Sequence, residues 1–351
     1  MSEPAIPVSD LTIPPLDNDA SQAADERQAR LTKPPGSLGR LETMVAELAA
    51  MQSTPTPAVD PAFVVTMAAD HGVAAEGVSA YPQSITAAMV ANFADGGAAV
   101  NALCDTNEIE NVVVDMGVAG EVPEDVLDYS VSDGTENMVQ EPAMTRQQAV
   151  AAIEAGQSVL ENEALEARVV GLGEMGIGNT TASAAITALL TNNSVESVTG
   201  HGTGIDEETR ARKVAVIERA IEKNDPDPND PISVLRSVGG FEIAGLAGLT
   251  MAAASRRIPV VVDGFIAGAA ALVAAEINPQ VTNYLLASHA SVEPGHAAQL
   301  NALELEPCFD YGMRLGEGTG AALALSVYRA ACAAHTEMST FAEAGLETGS
   351  D

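Results

Sequence analysis

The hydrophobic positions of the chain fall into short uninterrupted runs that alternate with longer alanine-rich stretches. The short runs are rich in β-branched residues and predict strands at Phe63–Met67, Asn111–Met116, Arg168–Leu172, Ile258–Asp263 and Val281–Ala287. The longer stretches predict helices near residues 84–104, 145–165, 179–192, 206–224, 240–256 and 265–277. Strands that are apolar throughout and separated by helices are typical of a parallel sheet covered on both faces. The pattern therefore predicts an α/β fold with helices on both faces of a parallel sheet.

The two ends of the chain follow a different pattern. Residues 1–18 are rich in Pro and Asp and are predicted to form a flexible arm. Helices are predicted over Ser21–Arg30 and from a cap at Ser37 to Gln52. The stretch 291–340 is predicted to be helical with a single break at Gly316–Gly320.

Polar and glycine-rich segments follow several of the predicted strands. They are Asp70-His71-Gly72, Gly173–Thr181, Asp263-Gly264 and Ser288-His289. Because α/β sheets bind ligands in the loops beyond the carboxyl ends of their strands, we expect a ligand site where these segments meet.

Charge narrows the classes of ligand and partner. The 351 residues include 49 Asp and Glu against 16 Lys and Arg, a formal net charge of −33, and Lys33, Lys213 and Lys223 are the only lysines. Such a field repels nucleic acid and anionic lipid, so we expect neither as a partner. A 46% hydrophobic content and a mean hydropathy of +0.12 argue against disorder. The sequence favours a folded protein whose acidic surface suits a salt-rich cytoplasm.

Cysteine, histidine and hydropathy patterns add several expected absences. The three cysteines are far apart, and no histidine pair has the i,i+4 spacing of a zinc site, so we expect no disulfide framework, metal or cofactor. Residues 1–18 lack the pattern of a signal peptide, and the longest apolar runs are shorter than a membrane span. We therefore expect a soluble cytoplasmic protein.

Two glycine-rich turns predict an anion site. Gly171–Thr181 follows a strand and opens a helix, for which Asn179 or Thr180 is a candidate N-cap. Gly200–Asp206 also precedes a helix and has the rare Lys213 two turns inside it. Neither turn is a dinucleotide fingerprint or a P-loop, and each alone also fits a tight turn without a ligand. Together, the two turns and the lysine favour a phosphate-bearing substrate.

Glu317 is a candidate general base. It lies between Gly316 and Gly318 at the predicted helix break, close to Leu315 and two alanines. An ordinary surface glutamate is the alternative interpretation in so acidic a protein. A carboxylate partly desolvated by apolar neighbours has a raised pKa and accepts protons near neutral pH.

Several segments follow one another in an order that identifies a family. They are Leu31–Arg40, Ala69–Val73, Glu76–Pro82, Gly173–Thr181, Gly200–Asp206, Val238–Phe241, Val262–Phe265, Ser288-His289 and Leu315–Gly320. In this order they resemble the nicotinate-nucleotide–dimethylbenzimidazole phosphoribosyltransferase family of cobalamin biosynthesis, over about residues 27 to 334.

The resemblance implies an architecture and a set of site residues. It implies a doubly wound large α/β domain (61–304), a smaller helical domain from both ends of the chain (19–60 and 305–340), a tail (341–351) and a homodimer. The family's base falls on Glu317. The ribose-phosphate contacts fall on Glu174, Gly176, Asn179, Thr180, Gly202, Lys213, Asp263 and Ser291, and the benzimidazole pocket on Tyr81, Met89, Met175 and Leu315.

The implied reaction moves the 5-phosphoribosyl group of nicotinate mononucleotide to 5,6-dimethylbenzimidazole, giving α-ribazole 5′-phosphate and nicotinate. Its small-molecule substrates are its expected partners. The alternatives are a nucleosidase, phosphoribosyl transfer to another base, and a non-catalytic nucleotide-binding module. A dehydrogenase with a dinucleotide-binding fold would require a fingerprint that the chain lacks.

Overall fold

In a computed structural model, residues 11–202 and 204–346 are described, and they form one parallel sheet surrounded by helices. The strands are β1 (Ala62–Ala69), β2 (Glu110–Gly117), β3 (Leu127–Asp128), β4 (Val169–Met175), β5 (Val260–Val262) and β6 (Leu285–Ala287). Their order across the sheet is β3-β2-β1-β4-β5-β6, and every pairing is parallel. The predicted α/β class is confirmed.

The helices connect the strands or flank the sheet. They are α1 (Asn18–Gln28), α2 (Arg40–Gln52), α3 (Ile85–Ala94), α4 (Ala99–Thr106), α5 (Arg146–Glu163), α6 (Asn179–Thr191), α7 (Val195–Val198), α8 (Glu207–Asn224), α9 (Pro231–Val238), α10 (Phe241–Ser255), α11 (Phe265–Ile277), α12 (Pro294–Ala302) and α13 (Thr319–Glu337). Short 3₁₀ helices span Gly72–Glu76 and Pro279–Tyr284.

The strand order changes direction between β1 and β4. Val65 of β1 pairs with Val112 of β2 on one side and with Leu172 of β4 on the other. The chain builds β2 and β3 outward from β1, then returns to place β4, β5 and β6 on the opposite side. Such a reversal opens a crevice at the carboxyl ends of the two central strands.

Helices cover both faces of the sheet, as expected. Thr66 lies against the turn before α13, whereas a Cβ added at Gly245 of α10 would meet the side chain of Met67. Because successive residues of a strand point to opposite faces, α13 and α10 lie on opposite sides of β1. Close packing of α10 on α5 requires glycine, since a Cβ at Gly156 would come within 1.8 Å of the carbonyl oxygen of Gly245.

The predicted elements between the strands need several corrections. The helix predicted over 84–104 is two helices, because the chain turns at Gly96 with a φ of +73°. The strand predicted from Val281 begins only at Leu285. The residues before it form a 3₁₀ helix that starts with Pro279. Five short elements were not predicted: β3, α7, α9 and the two 3₁₀ helices. Of these, α9 is capped by the carboxylate of Asp230.

The chain ends also differ from the prediction. Residues 11–17 are packed rather than loose: Ile13 is buried, and the carbonyl of Pro14 accepts a hydrogen bond from the Tyr284 hydroxyl (3.0 Å). Ser37 does not cap α2, whose N-cap is Gly39. The C-terminal break is wider than Gly316–Gly320, because residues 303–318 are irregular. Residues 1–10 of the predicted arm and 347–351 of the predicted tail lie outside the described part.

The terminal helices share their core with the sheet. α1 packs on α2, and α13 packs both on α2 and on β4. Side chains of α2 (Leu48), β1 (Val64) and α13 (Tyr328) belong to one continuous hydrophobic cluster. The division into a large and a small domain stays a prediction.

Candidate active site

A cavity of about 720 Å³ lies beyond the carboxyl ends of β1, β4, β5 and β6, at the crevice that the strand order predicts. All the predicted site residues except Lys213 and Asp263 line it. The lining residues are Tyr81, Ile85, Met89, Glu174, Met175, Gly176, Ile177, Asn179, Thr180, Gly202, Gly264, Phe265, Ile266, His289, Ser291, Glu293, Arg314, Leu315, Gly316 and Glu317.

Glu317 reaches the cavity from a tight turn pressed against the sheet. Its φ of +64° lies in the left-handed region, between two glycines that also have positive φ. The Thr66 hydroxyl of β1 donates a hydrogen bond to the Glu317 carbonyl (3.2 Å). A Cβ at Gly173 of β4 would come within 2.5 Å of the same carbonyl oxygen, so glycine is required there. The sheet surface thus fixes the backbone that carries the candidate base.

The carboxylate of Asp263 holds the Glu317 turn through two backbone hydrogen bonds. One oxygen accepts a hydrogen bond from the Ala321 amide (3.0 Å), and the other accepts one from the Gly318 amide (3.3 Å). Burial raises the pKa of Asp263 to about 7, the backbone amides oppose this shift, and the charge of Glu317 adds to it. Asp263 therefore lies behind the turn rather than in the cavity wall, and its predicted contact with ribose-phosphate stays a prediction.

The Glu317 side chain itself is nearly enclosed. It is 7% exposed, and its Oε2 atom has no hydrogen-bond partner among the described residues. Burial raises the pKa of Glu317, and a hydrogen bond from the Val100 amide partly offsets that shift. The raised pKa agrees with the expectation from sequence, and Oε2 is a buried acceptor whose hydrogen-bonding capacity is unused among the described residues.

Glu174 is a second buried carboxyl beside the same turn. Burial raises its pKa to about 8, and the nearby charge of Asp263 adds to the shift, while hydrogen bonds from Asn179 and from the Glu317 amide oppose it. A Cβ at Gly316 would come within 2.2 Å of a Glu174 oxygen. Glu174 is therefore protonated over much of the neutral range.

The start of α6 differs from the sequence prediction. Its N-cap is Gly178, with a φ of +100°, and neither Asn179 nor Thr180 caps the helix. The Asn179 amide instead donates to Glu174, and the Thr180 hydroxyl accepts from the Lys213 ammonium at 2.7 Å. Both side chains thus bond to other side chains, Thr180 to one that lies 33 residues later in the chain.

The two glycine-rich turns meet at the polar end of the cavity. Lys213 is fully buried, and burial lowers its pKa to about 8 while the charge of Glu293 opposes the shift. Ser291 is held nearby, because its backbone amide donates to the Nδ1 atom of His296 (3.0 Å). Burial lowers the pKa of His296 to about 3, so this nitrogen stays an acceptor. A buried ammonium close behind the cavity wall favours an anion such as phosphate on the cavity side.

Apolar side chains also line the cavity, among them the four that the resemblance assigns to the benzimidazole pocket, and that role stays a prediction. These four are Tyr81, Met89, Met175 and Leu315. Tyr81 and Leu315 are 53% and 58% exposed, which places them at the mouth. Flat aromatic ligands gain most of their binding free energy from burial against such side chains.

Several lining residues were not predicted from sequence. Arg314 donates to the carbonyl of Gly202 (3.2 Å). A basic residue is rare in this chain, so its position close to Glu317 in the sequence could have indicated a site residue. Phe265 and Ile266 directly follow Asp263-Gly264, so their position after a strand was informative too. Glu293 gave no local signal, because buried and surface glutamates look alike in a sequence this acidic.

Metal and membrane signatures are missing from residues 11–202 and 204–346. No group of three or more His, Cys, Asp or Glu side chains there is arranged to hold a metal ion. None of the helices in the same ranges combines the length and apolar character needed to cross a bilayer. The expected absence of a metal and of a cofactor stays a prediction.

Comparison with known proteins gives matches along nearly the whole chain. A family model described as phosphoribosyltransferase matches residues 13–346. The chain belongs to this phosphoribosyltransferase family. Proteins named nicotinate-nucleotide–dimethylbenzimidazole phosphoribosyltransferase are 52% identical in Roseiflexus sp. (strain RS-1) and 51% identical in Chloroflexus aggregans, each over 338 residues that cover 95% of this chain and 96% of the relative.

Solved structures agree with the phosphoribosyltransferase assignment. The crystal structure of CobT from Thermus thermophilus has a TM-score of 0.90 and 43% identity, and the match covers 94% of this chain and 100% of that one. The family resemblance found in the sequence is thereby confirmed, and with it the enzyme class of pentosyl-transferring enzymes.

Proposed function

We propose that this phosphoribosyltransferase moves the 5-phosphoribosyl group of nicotinate mononucleotide to 5,6-dimethylbenzimidazole, giving α-ribazole 5′-phosphate and nicotinate for the nucleotide loop of cobalamin. One observation carries the proposal. The nearly enclosed carboxylate of Glu317, with its unpaired Oε2 atom, lines a cavity that is apolar around Met89 and Met175 and holds a buried lysine behind its polar end.

This arrangement matches what the transfer requires. The pyridinium nitrogen of nicotinate mononucleotide is a good leaving group, so no strong general acid is needed as the ribose carbon becomes oxocarbenium-like. The incoming benzimidazole attacks through one ring nitrogen and must lose the proton on the other. A carboxylate with a raised pKa in the cavity wall accepts that proton, and Glu317 is such a group.

The two ends of the cavity supply proximity. The phosphate is held at the polar side of the cavity, beside Gly202 and the Thr180 hydroxyl, with the charge of the Lys213 ammonium behind them. The benzimidazole is held by the apolar side chains. Fixing both reactants turns a bimolecular encounter into a step within one complex. Attack on the face opposite the departing nicotinate inverts the anomeric carbon and produces the α-linkage.

Mass spectrometry of products tests the proposal against its alternatives. The protein is incubated with nicotinate mononucleotide and an equimolar mixture of dimethylbenzimidazole, benzimidazole and adenine. α-Ribazole 5′-phosphate as the main product is the expected result. Free ribose 5-phosphate would indicate a nucleosidase, a purine product would indicate another acceptor, and unchanged substrate would indicate a non-catalytic nucleotide-binding protein.

We also propose that the protein works as a homodimer. Large apolar side chains cluster at and near the cavity mouth: Tyr81 and Leu315 line it, Val292 is 55% exposed, and Tyr311 is 73% exposed. Exposed apolar patches of this kind are common at subunit interfaces. Light scattering after size exclusion should give twice the mass of 35.9 kDa, and a monomer mass would contradict the proposal.

Two further proposals concern the cell. The cysteines Cys104, Cys308 and Cys332 are all free thiols, which fits a reducing cytoplasm. A net charge of −33 with three lysines fits a cytoplasm rich in salt, that is, a halophilic host. Localisation by a fluorescent fusion in the source cell tests the first, and the salt dependence described in the Discussion tests the second.

A further inference from the structure

The side chain of Glu293 is buried beside the phosphate end of the cavity. It is 7% exposed, and its Oε1 atom accepts a hydrogen bond from the Gly202 amide at 2.8 Å. Its Oε2 atom packs against Gly200, where a Cβ would come within 2.1 Å, and has no hydrogen-bond partner among the described residues. One buried carboxylate thus contacts two glycines, Gly200 and Gly202, of the turn that is proposed to bind the phosphate.

Glu293 is also the carboxylate that acts on the buried lysine. Lys213 is 1% exposed and donates to the Thr180 hydroxyl, a neutral partner. Burial lowers the pKa of Lys213, and the negative charge of Glu293 acts in the opposite direction. A buried ammonium without a counter-charge loses its proton readily, and a neutral amine binds phosphate poorly.

Other charged groups around Lys213 are few. Of the helices packed against α8, α6 has no charged residue. α7 carries Glu196, which pairs with Arg210 (3.8 Å), and α9 carries Arg236 in its last turn. On the cavity side Arg314 lies against the carbonyl of Gly202 and adds positive charge. Glu293 is therefore the negative group that opposes the desolvation of this lysine.

We propose that Glu293 is a positioning residue for the substrate phosphate, which tethers the Gly200–Gly202 turn and supplies the counter-charge of the Lys213 ammonium. It sets the affinity for nicotinate mononucleotide and takes no part in the chemical step. This inference rests on the proposed function, because it assigns the phosphate of that substrate to the turn.

The two parts of this assignment are separable by substitution. Glu293→Gln keeps an oxygen that accepts from the Gly202 amide but removes the charge. Glu293→Ala removes both. If Glu293 acts only by its hydrogen bond to Gly202, Glu293→Gln should bind nicotinate mononucleotide like the wild type at every pH. If the charge of Glu293 also matters, Glu293→Gln should bind normally only at pH values where Lys213 is still protonated.

The experiment measures the dissociation constant of nicotinate mononucleotide by calorimetry, without acceptor base, at constant KCl and from about pH 7 to 9, where the substrate phosphate stays dianionic. Glu293→Ala should weaken binding about tenfold or more at pH 7, and in a separate transfer assay with dimethylbenzimidazole its kcat should change less than about threefold. Glu293→Gln should bind within about threefold of the wild type at pH 7, and its affinity should fall at a lower pH than that of the wild type.

A matched control and the contrary results complete the design. Glu222→Gln, an exposed change of the same charge on α8, should behave as wild type at every pH. Wild-type affinity in both Glu293 variants would overturn the inference, as would a Glu293→Gln profile that coincides with the wild-type profile, or a loss of kcat equal to the loss of affinity. Absence of transfer by the wild type would count against the proposed function instead.

Discussion

The ammonium of Lys213 lies 2.7 Å from the hydroxyl of Thr180, and this contact joins the helices that follow the two glycine-rich turns of the cavity. Lys213 belongs to α8, whereas Thr180 is the second residue of α6 and lines the cavity. The lysine itself is buried behind that wall. Its charge therefore acts on the polar end of the cavity through a hydroxyl and through Gly202, which lies close to the ammonium.

The first prediction follows from that contact. Lys213→Met keeps the apolar stem and removes the charge, so nicotinate mononucleotide should bind about 10- to 100-fold more weakly, the usual loss for a charge-assisted hydrogen bond. Binding of dimethylbenzimidazole, measured by calorimetry, should change little. Lys223→Met, on the exposed end of the same helix, is the control. Equal losses for both ligands would mean that Lys213 only supports the fold.

A second prediction concerns Glu317 as the general base. Glu317→Gln preserves shape but accepts no proton, so kcat should fall roughly 10²- to 10⁴-fold while the dissociation constant for nicotinate mononucleotide stays close to the wild-type value. The matched control is Glu304→Gln, an exposed glutamate that also has a positive φ, +55°. Turnover within a few-fold of wild type in the Glu317 variant would remove Glu317 from the mechanism.

The third prediction is a pH dependence of stability. Burial raises the pKa of Glu174 to about 8 from an ordinary value of 4.5. The folded state therefore holds this proton more tightly than the unfolded state, so the stabilisation is present at low pH and is lost as the pH rises from about 4.5 to about 8.

The glutamine in Glu174→Gln is neutral at every pH. The variant's free energy of unfolding should therefore fall less steeply with pH than that of the wild type, by up to about 1.4 kcal/mol per pH unit. Urea unfolding at constant KCl, from about pH 5 to 8, measures the free energy of unfolding. Asp263, with a pKa raised to about 7, leaves a residual slope of the same sign. Exposed Glu166→Gln should run parallel to wild type, and a Glu174 variant that also runs parallel would refute the prediction.

The fourth prediction concerns salt. Like charges on a surface with a net charge of −33 raise the free energy of the folded state, and the Debye length shrinks from about 10 Å at 0.1 M to about 3 Å at 1 M salt. The melting temperature and the activity at saturating substrate should both rise as KCl goes from dilute buffer to molar concentration. Because salt also screens the attraction of Lys213 for phosphate, KM for nicotinate mononucleotide should increase. A flat or falling melting temperature would show that the acidity is not an adaptation to salt.

Local patterns in the sequence determined the layers of the fold and most of the candidate site. Short β-branched, mostly apolar runs such as Phe63–Met67 are typical of buried strands in a covered sheet, and glycines such as those flanking Glu317 report local backbone conformation. Both signals depend on neighbours in the chain, so they survive in the sequence alone. The order of the motifs then identified the family.

Only the tertiary structure decided which polar groups pair. Asp263 accepts from amides of α13, more than 50 residues later in the chain, and Glu293 accepts from Gly202, 91 residues earlier. Lys213 is buried rather than exposed, and its ammonium donates to the hydroxyl of Thr180, 33 residues earlier. Such hydrogen bonds depend on where distant segments meet, and burial sets the pKa of each group. A residue's chemistry at this site is therefore fixed by long-range packing that no local pattern encodes.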